Sequence, residues 1–353
     1  MAKYRCELTG KPRLTFLFFE LTDCCNLACR HCGSSCAPNR STFLKKESVY
    51  KVLDSVKAHY GARPMICLTG GEPLLHKDFF EIAEYIVARG FHWGITTNAT
   101  LIDRTVAEGL AACKMTSVAF SLDGMRDSHN ALRGNKESYD RATIGIRNAV
   151  ELCPDTVTMV TTVVNKLNFG ELDDIYKTVC TLGVDSWRVV NVDPIGRATQ
   201  ADLALTDDQL IELFDFIKDK RDDPDVTLDV TYGCSHYLTE RYEGELRDAY
   251  FLCASGIYTA SILCNGDIFS CLDIERLPEL IQGNVETDDF VDVWEKKFEV
   301  FRRDRTALNA TCCACPDRLY CAGDSAHTWD FGKNEPNLCI KKILDRKKEK
   351  SKK

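Results

Sequence analysis

The sequence predicts an α/β fold, a partial (β/α)6 barrel followed by a small Cys-rich domain. Three observations support this prediction. The first two-thirds of the 353 residues alternate short apolar runs with helical patterns, the alternation stops after Pro224, and nine of the nineteen cysteines follow between about residues 231 and 339. Repeated β/α units favour a parallel sheet covered by helices, with the chemistry at the carboxyl ends of the strands.

The elements follow in order along the chain. Each predicted strand is a short run of apolar and β-branched residues, and these runs cover residues 14–19, 65–68, 93–97, 117–121, 157–164 and 187–190. Each predicted helix has apolar residues at helical spacing, and these segments cover residues 46–59, 79–89, 103–112, 139–152, 172–182 and 207–220. We expect the barrel in residues 1–230, the Cys-rich domain in 231–340 and a disordered basic tail in 341–353.

The composition narrows the class of protein. The net charge of −8 argues against a general nucleic-acid binder, and no apolar run approaches the ~20 residues of a membrane helix. The N-terminus lacks the apolar segment of a signal peptide, so we expect a cytoplasmic protein, in which disulfides are disfavoured. Nineteen is an odd number, so the cysteines cannot all pair within the chain. Metal or cluster ligation is the leading explanation for them.

The first candidate site is a loop after the first predicted strand. Cys25, Cys29 and Cys32 are spaced four and three residues apart, which lets three thiolates each bind one iron of a cubane cluster. The fourth iron then has no protein ligand and is open to a small molecule. A zinc knuckle is the alternative, with Cys24 or Cys36 as the fourth ligand that structural zinc requires.

The second candidate site ends the next strand. Gly70 and Gly71 let a ligand approach the backbone, and Glu72 and Pro73 complete a turn that offers carbonyls and a carboxylate to an ammonium group. The CxxxCxxC loop and the GGEP turn together resemble those of the radical S-adenosylmethionine (SAM) superfamily. The resemblance implies a [4Fe-4S] cluster whose open iron binds SAM, reductive cleavage of SAM, and a 5′-deoxyadenosyl radical that abstracts hydrogen from the substrate.

Further positions match the SAM site of this family by their place at strand ends. The resemblance implies that His31 lies near the adenine and that Ser121 and Asp123 lie near the ribose. It also implies that Arg133 pairs with the SAM carboxylate, a role that suits a bidentate guanidinium. Ser121 and Thr97 have an alternative as capping or turn residues. The residues expected to bind SAM are therefore His31, Gly70, Gly71, Glu72, Pro73, Thr97, Asn98, Ser121, Asp123 and Arg133.

The third constellation lies in the Cys-rich segment. Its pattern runs through Cys253, Gly266-x4-Cys271, Cys312-x2-Cys315-x5-Cys321 and Cys339. This pattern resembles the SPASM extension of radical SAM enzymes, which carries auxiliary iron–sulfur clusters. The resemblance implies that the last four cysteines complete one cluster. The metal ligands expected from both motifs are Cys25, Cys29, Cys32, Cys253, Cys271, Cys312, Cys315, Cys321 and Cys339.

One position departs from the family pattern. The resemblance implies a further Cys where this chain has Ser325, so the centre near Cys253 and Cys271 lacks a usual ligand. This centre could keep an open iron, hold a [2Fe-2S] cluster or hold no cluster at all. We therefore expect one or two auxiliary clusters. Four residues are candidates for the missing ligand: Cys264, Cys234, Asp324 and His327.

The resemblance also bears on the substrate. We expect oxidative modification of a peptide or protein side chain, because relatives with this extension include peptide and protein maturases. The alternative is biosynthesis of a small-molecule cofactor or of a haem-type compound. A non-catalytic electron carrier or zinc-ribbon protein explains the Cys-rich end but neither the β/α units nor the GGEP turn.

Partners follow from the same expectation. An external electron donor such as flavodoxin or ferredoxin is expected to supply the reducing electron, and neither a membrane nor a nucleic acid is expected as a partner. Only 24 residues precede Cys25, so we expect a leaderless peptide substrate or a separate leader-recognition protein. No catalytic residue is assigned, and the candidate pocket residues are Arg188, Arg197 and His327.

Overall fold

The computed structural model describes residues 2–224 and 227–350. The strands of this part of the chain are β1 (Phe16–Glu20), β2 (Met65–Thr69), β3 (Trp93–Thr97), β4 (Ser117–Ser121), β5 (Val157–Val164), β6 (Ser186–Asn191), β7 (Asp229–Tyr232), β8 (Thr259–Ile262), β9 (Asp267–Phe269), β10 (Gly283–Asn284), β11 (Trp329–Asp330) and β12 (Glu335–Pro336). The helices are α1 (Ala2–Gly10), α2 (Lys46–Tyr60), α3 (Phe79–Ala88), α4 (Arg104–Ala112), α5 (Arg126–Arg133), α6 (Ser138–Leu152), α7 (Leu172–Leu182), α8 (Asp207–Arg221), α9 (Thr239–Tyr242), α10 (Phe290–Lys296), α11 (Glu299–Arg302), α12 (Ala310–Cys313), α13 (Arg318–Cys321) and α14 (Ile340–Lys350).

One large sheet contains most of the strands, in the order β10-β9-β8-β1-β2-β3-β4-β5-β6-β7. Neighbouring strands from β8 to β7 run parallel, whereas β9 and β10 run antiparallel at one edge. Parallel neighbours place their carboxyl ends at the same edge of a sheet. The loops that follow these strands therefore meet along one edge.

The predicted α/β fold is confirmed, and the six predicted strands correspond to β1 through β6. Two further parallel strands extend the sheet beyond the prediction. The strand β7 spans the expected domain boundary at residue 230, and β8, from the Cys-rich segment, pairs with β1. Both have only four residues, which is too short for apolar periodicity to reveal them. The sheet thus continues into the segment that was expected to form the second domain.

Helix α2 illustrates how the sequence builds the outer layer. Its residues Val49, Val52, Leu53 and Val56 are buried at helical spacing against the sheet, and each such side chain contributes about 1.5–3 kcal/mol on burial. The helix ends at Gly61, whose φ of 69° suits a residue without a side chain. The same apolar spacing predicted the other long helices.

The C-terminal segment, which the sequence predicts as a disordered tail, is helical in the part that the structure describes. Within the described residues it forms α14, and residues 351–353 lie outside them. The apolar side chains of Ile340, Ile343 and Leu344 are buried on one face of this helix, because they recur at helical spacing. Arg346 also forms an ion pair with Asp207 at 2.7 Å. In the part of the chain that the structure describes, no helix has the length and apolar character needed to cross a membrane.

Candidate active site

One cavity of about 370 Å³ opens at the carboxyl-end edge of the sheet. The loop after β1 and residues at or near the ends of β2 through β6 contribute to its wall. Most of the residues expected from the first two motifs line this cavity: Cys25, Cys29, His31, Cys32, Gly70, Gly71, Thr97, Asn98, Ser121, Asp123 and Arg133. The structure thus brings these residues together around one space, although they come from distant parts of the sequence.

The loop that carries the three cysteines is fixed by Arg197. Its Nε donates to the carbonyl oxygen of Cys29 at 2.7 Å, and its Nη2 donates to that of Cys36 at 2.8 Å. The Cys25 and Cys29 side chains are buried, and burial raises the pKa of Cys25 to about 12. Iron binding at Cys25 would therefore displace the proton of its thiol. The sequence indicated Arg197 as a pocket residue but not as a support of this loop.

The three thiols fit an iron–sulfur cluster better than a single ion. Within residues 2–224 and 227–350, no group of three or more His, Cys, Asp or Glu side chains is placed to hold one metal ion. A cubane cluster takes one thiolate on each iron, so its ligands surround a space rather than a point. Cys25, Cys29 and Cys32 all border the cavity, which is the arrangement that a cluster with one open iron needs.

The two glycines of the GGEP turn pack directly against the cysteine loop. A Cβ on Gly71 would lie 2.1 Å from the carbonyl oxygen of Cys24, and a Cβ on Gly70 would lie 2.5 Å from that of Thr22. The φ of Gly70 is +150°, a region that residues with side chains rarely adopt. Because neither position has room for a side chain, the turn and the loop form one unit. Both glycines also border the cavity.

Glu72 and Pro73 are buried behind the cavity rather than in its wall. The Glu72 carboxylate accepts hydrogen bonds from Oγ1 of Thr97 at 2.8 Å and from the backbone N–H of Asn98 at 2.9 Å. Burial raises the pKa of Glu72 to about 7, and these hydrogen bonds only partly oppose the rise. The GGEP motif predicted that this carboxylate faces an ammonium group. In the structure it bonds to Thr97 and Asn98, two residues that line the cavity, and so holds the turn against them.

Asp123 is the centre of a buried polar group in the cavity wall. Its Oδ2 accepts from Nε of Arg133 at 2.8 Å and lies 3.4 Å from Nε2 of His31. Burial lowers the pKa of His31 to about 4, so the imidazole is neutral at physiological pH. Its Nδ1 is buried and has no hydrogen-bond partner within the described residues. Buried polar atoms normally have partners, so this nitrogen fits a ligand with an amino group, as adenine has.

Side chains from β6 and from the Cys-rich segment complete the cavity wall: Arg188, Asp193, Cys234, Asp273 and His327. Asp193 is 3.2 Å from Nε2 of His236 and 3.5 Å from Nε2 of His327. The sequence indicated Arg188 and His327 as pocket residues but neither of the two carboxylates, Asp193 and Asp273. Asp193 follows the end of β6 by two residues. It could have been predicted, because functional residues tend to follow the carboxyl ends of parallel strands.

Arg188 is held by a neighbouring strand rather than by a carboxylate. Its Nε and Nη2 donate to Oγ1 of Thr161 on β5 at 3.2 and 3.0 Å. The ion pairs found among the described residues do not include Arg188. A guanidinium in a cavity wall that keeps N–H donors free can bind an anionic group of a ligand.

A second, smaller cavity of about 40 Å³ lies in the Cys-rich segment. Its wall contains the four cysteines expected to complete one auxiliary cluster: Cys312, Cys315, Cys321 and Cys339. Asn309 caps α12, the short helix that contains the first of them, because its Oδ1 accepts from the N–H of Cys312 at 3.0 Å. The structure therefore brings all four thiols around one small space.

The remaining expected ligands, Cys253 and Cys271, lie outside this second cavity. Cys264 is separate from both, in the turn after β8, where its N–H donates to Glu20 at 3.1 Å. Ser325 is buried and donates its hydroxyl hydrogen to the carbonyl oxygen of Ser235. The structure thus places a serine hydroxyl, not a thiol, at the position where the family pattern has its further Cys.

Two protein-family models match the chain. The model of the radical SAM superfamily matches residues 19–179, and the model of an iron–sulfur cluster-binding domain, SPASM, matches residues 253–316. The first match contains the cysteine loop and the cavity residues up to Arg133. The second begins at Cys253 and contains three of the other cysteines expected as auxiliary ligands.

Two proteins with related sequences match most of the chain. The AdoMet-dependent heme synthase of Methanosarcina barkeri is 29% identical over 358 residues, which cover 94% of this chain and 97% of that protein. The mycofactocin maturase MftC of Mycolicibacterium smegmatis is 30% identical over 305 residues, which cover 84% of this chain and 74% of that protein.

The fold agrees with these sequence matches. The crystal structure of Streptococcus suis SuiB bound to S-adenosylmethionine superimposes with a TM-score of 0.74 at 20% identity, covering 91% of this chain and 75% of that one. Sequence motifs, cavity and relatives lead to one assignment. The chain belongs to the radical SAM superfamily, as an enzyme that uses a [4Fe-4S] cluster and SAM and that carries auxiliary iron–sulfur clusters in a SPASM domain.

Proposed function

We propose that this enzyme oxidatively modifies a side chain of a peptide or protein. The observation that carries the proposal is the single cavity that joins the cysteine loop to the polar wall of Arg188, Asp193 and His327. A substrate in that cavity lies next to the proposed SAM site and can form hydrogen bonds with Arg188, Asp193 and His327. The relationship to a maturase at 30% identity supports a peptide substrate.

The cluster and SAM supply, when bound, the 5′-deoxyadenosyl radical that abstracts a substrate hydrogen. We propose that Cys25, Cys29 and Cys32 each bind one iron of this cluster. Gly70, Gly71, Thr97 and Asn98 bind the methionine part of SAM, supported by Glu72 behind them, since these four line the cavity beside the cysteine loop.

The nucleoside end of SAM is proposed to lie at Ser121, Asp123 and His31. Arg133 neutralises Asp123 through Nε and Nη2, which leaves its Nη1 for the SAM carboxylate. Pro73 keeps the GGEP turn in place from its buried position. In the Cys-rich segment, the proposed cluster ligands are Cys253, Cys271, Cys312, Cys315, Cys321 and Cys339.

The proposal includes partners and a compartment. An external donor such as flavodoxin or ferredoxin delivers the reducing electron, and a separate recognition protein presents any substrate that carries a leader. The reaction takes place in the cytoplasm, where thiols stay reduced. The free state of the cysteines from Cys24 to Cys339 supports this compartment.

A second candidate is oxidation of a haem-type small molecule. The observation that favours it is the match to a heme synthase over 94% of this chain. Arg188, which has N–H donors free, is suited to the carboxylate of a porphyrin as well as to that of a peptide.

The two candidates are separated by one experiment. Anaerobically reconstituted enzyme receives SAM, reductant and either a deuterated pool of synthetic peptides or a deuterated iron porphyrin with propionate side chains. The peptide proposal expects deuterium in 5′-deoxyadenosine only with the peptide pool. Deuterium transfer only from the porphyrin contradicts it and supports the second candidate.

A further inference from the structure

Ser325 occupies the position of the missing thiol, and its surroundings indicate which residue replaces it. Its hydroxyl donates to the carbonyl oxygen of Ser235, the residue after Cys234. The Ser325 side chain is 1% exposed and also lies 3.0 Å from Oγ1 of Thr328. These contacts fix the backbone that carries Cys234 against the turn that carries Ser325.

The segments that carry the two remaining thiols of the incomplete centre, Cys253 and Cys271, are connected to this turn. Sγ of Cys253 accepts from the N–H of Ala326 at 3.3 Å, so this thiol contacts the residue after Ser325. The segment of Cys271 is joined to that of Cys253 by a hydrogen bond of 2.7 Å between the hydroxyls of Ser255 and Ser270. A continuous set of contacts therefore connects the segments of Cys271, Cys253 and Cys234.

Cys234 lies in the wall of the cavity that the cysteine loop borders, together with Asp273 and His327. Sγ of Cys271 lies 3.9 Å from Oδ2 of Asp273, so the thiol of Cys271 is next to this part of the wall.

Asp324 and His327 already have partners of their own, and Cys264 lies elsewhere in the fold. The carboxylate of Asp324 accepts from the N–H of Tyr237 at 2.8 Å and lies 3.0 Å from Nδ1 of His236. Nε2 of His327 lies 3.5 Å from Asp193 and 3.3 Å from Oγ of Ser325. Cys264 lies beside Glu20, away from Ser325. Cys234 is therefore the residue best placed to supply the missing ligand.

We propose that Cys234 supplies the thiolate that Ser325 lacks, so that Cys234, Cys253 and Cys271 would hold an auxiliary iron–sulfur centre with one open iron. This inference rests on the ligand roles of Cys253 and Cys271 in the proposed function. Each thiol loses its proton when iron binds, and the open iron can take an oxygen or nitrogen ligand from the substrate.

Iron and sulfide counts on the full-length, anaerobically reconstituted enzyme test the assignment. We expect the Cys234→Ala variant to lose about four irons and four sulfides per chain, the content of one cubane cluster. The matched control, Cys264→Ala, should keep the wild-type content. Adding Ser325→Cys to Cys234→Ala should restore the lost iron, because the family position regains its thiol. Wild-type iron in Cys234→Ala, or an equal loss in Cys264→Ala, overturns the proposal.

A spectroscopic test does not depend on how well Cys234→Ala folds. Replacing Cys25, Cys29 and Cys32 by Ala removes the cluster that binds SAM. The proposed centre at Cys234, Cys253 and Cys271 is then the centre that keeps an open iron. Imidazole should then shift the electron paramagnetic resonance spectrum of the reduced protein, and Ser325→Cys should abolish the shift. An unchanged spectrum on addition of imidazole overturns the open position.

The outcome also separates this inference from the proposed function. A wild-type enzyme with all its clusters that fails to transfer deuterium from peptides contradicts the proposed function and leaves the role of Cys234 standing. A Cys234→Ala variant with full iron content and normal deuterium transfer overturns the role of Cys234 alone.

Discussion

Arg133 and Asp123 form a buried ion pair in the wall of the cavity that the cysteine loop borders, with Nε of Arg133 donating to Oδ2 of Asp123 at 2.8 Å. The Asp123 side chain is 0% exposed and that of Arg133 is 8% exposed. Asp123 also accepts from the N–H of Val163 at 2.8 Å. The pair thus joins α5 to the end of β5 and fixes the place where the nucleoside of SAM is proposed to lie.

We expect Asp123→Asn to destabilise the protein, because it leaves the Arg133 guanidinium buried without a counter-charge. Removing one partner of a buried pair costs about 3–5 kcal/mol, measured as the free energy of unfolding of the cluster-free protein in urea. The matched control is Glu151→Gln, which breaks an exposed pair with Arg104 and should change stability little. Equal stability of Asp123→Asn and wild type would show that the pair does not support the fold.

The same pair gives stability a defined pH dependence. Although burial opposes ionisation, Arg133 and His31 lower the pKa of Asp123 from 3.8 to about 2. The unfolded chain therefore takes up the proton first, and the contribution of Asp123 is complete above pH 3.8 and is lost as the pH falls to about 2. The difference in unfolding free energy between wild type and Asp123→Asn should shrink across this window. A constant difference would contradict the lowered pKa.

We expect Gly71→Ala to impair the cysteine loop, because its Cβ would lie 2.1 Å from the carbonyl oxygen of Cys24. Overpacking of this kind costs about 1–3 kcal/mol and displaces the loop that carries Cys25. Thermal unfolding and the iron content after reconstitution measure both effects. Gly170→Ala is the control, since no atom lies within 4 Å of its added Cβ. Wild-type iron content in Gly71→Ala would show that the turn and the loop are independent.

Arg188 is expected to bind the substrate rather than SAM. Replacing Arg188 by Ala removes hydrogen bonds between a charged donor and an anionic group, which are worth about 1.5–3 kcal/mol. The KM for the deuterated substrate that proves active, peptide or porphyrin, should therefore rise about tenfold or more. Formation of 5′-deoxyadenosine without that substrate should stay unchanged. Arg147→Ala, whose guanidinium bonds an exposed carbonyl of Thr181, is the control. An unchanged KM in Arg188→Ala would exclude Arg188 from substrate binding.

The sequence predicted the parts of the fold that depend on local periodicity. Strands β1 to β6 and the long helices follow from apolar spacing, but β7 and β8 do not, because their few residues join the sheet through pairing with distant strands. Helix α14 was not predicted, because its many charged residues indicated a disordered tail. Its apolar face of Ile340, Ile343 and Leu344 is short and becomes clear only from their burial.

The candidate site was predictable where a spacing pattern carries the chemistry. The Cys25 loop and the GGEP turn could be placed at one edge of the sheet from the sequence alone. The orientation of the Glu72 carboxylate could not be predicted, because it depends on hydrogen-bond donors at Thr97 and Asn98 that only the folded chain brings within reach. The same holds for Cys234, whose neighbours in space are far away in the sequence.

The most direct test of the central claim is formation of 5′-deoxyadenosine by anaerobically reconstituted protein with SAM and a reductant. We expect product from the wild type and none above background from the variant in which Cys25, Cys29 and Cys32 are all replaced by Ala. That variant should still contain the iron of its auxiliary centres, because they use separate ligands. Absence of product from a wild type with intact clusters, or equal product from the triple variant, would contradict the account.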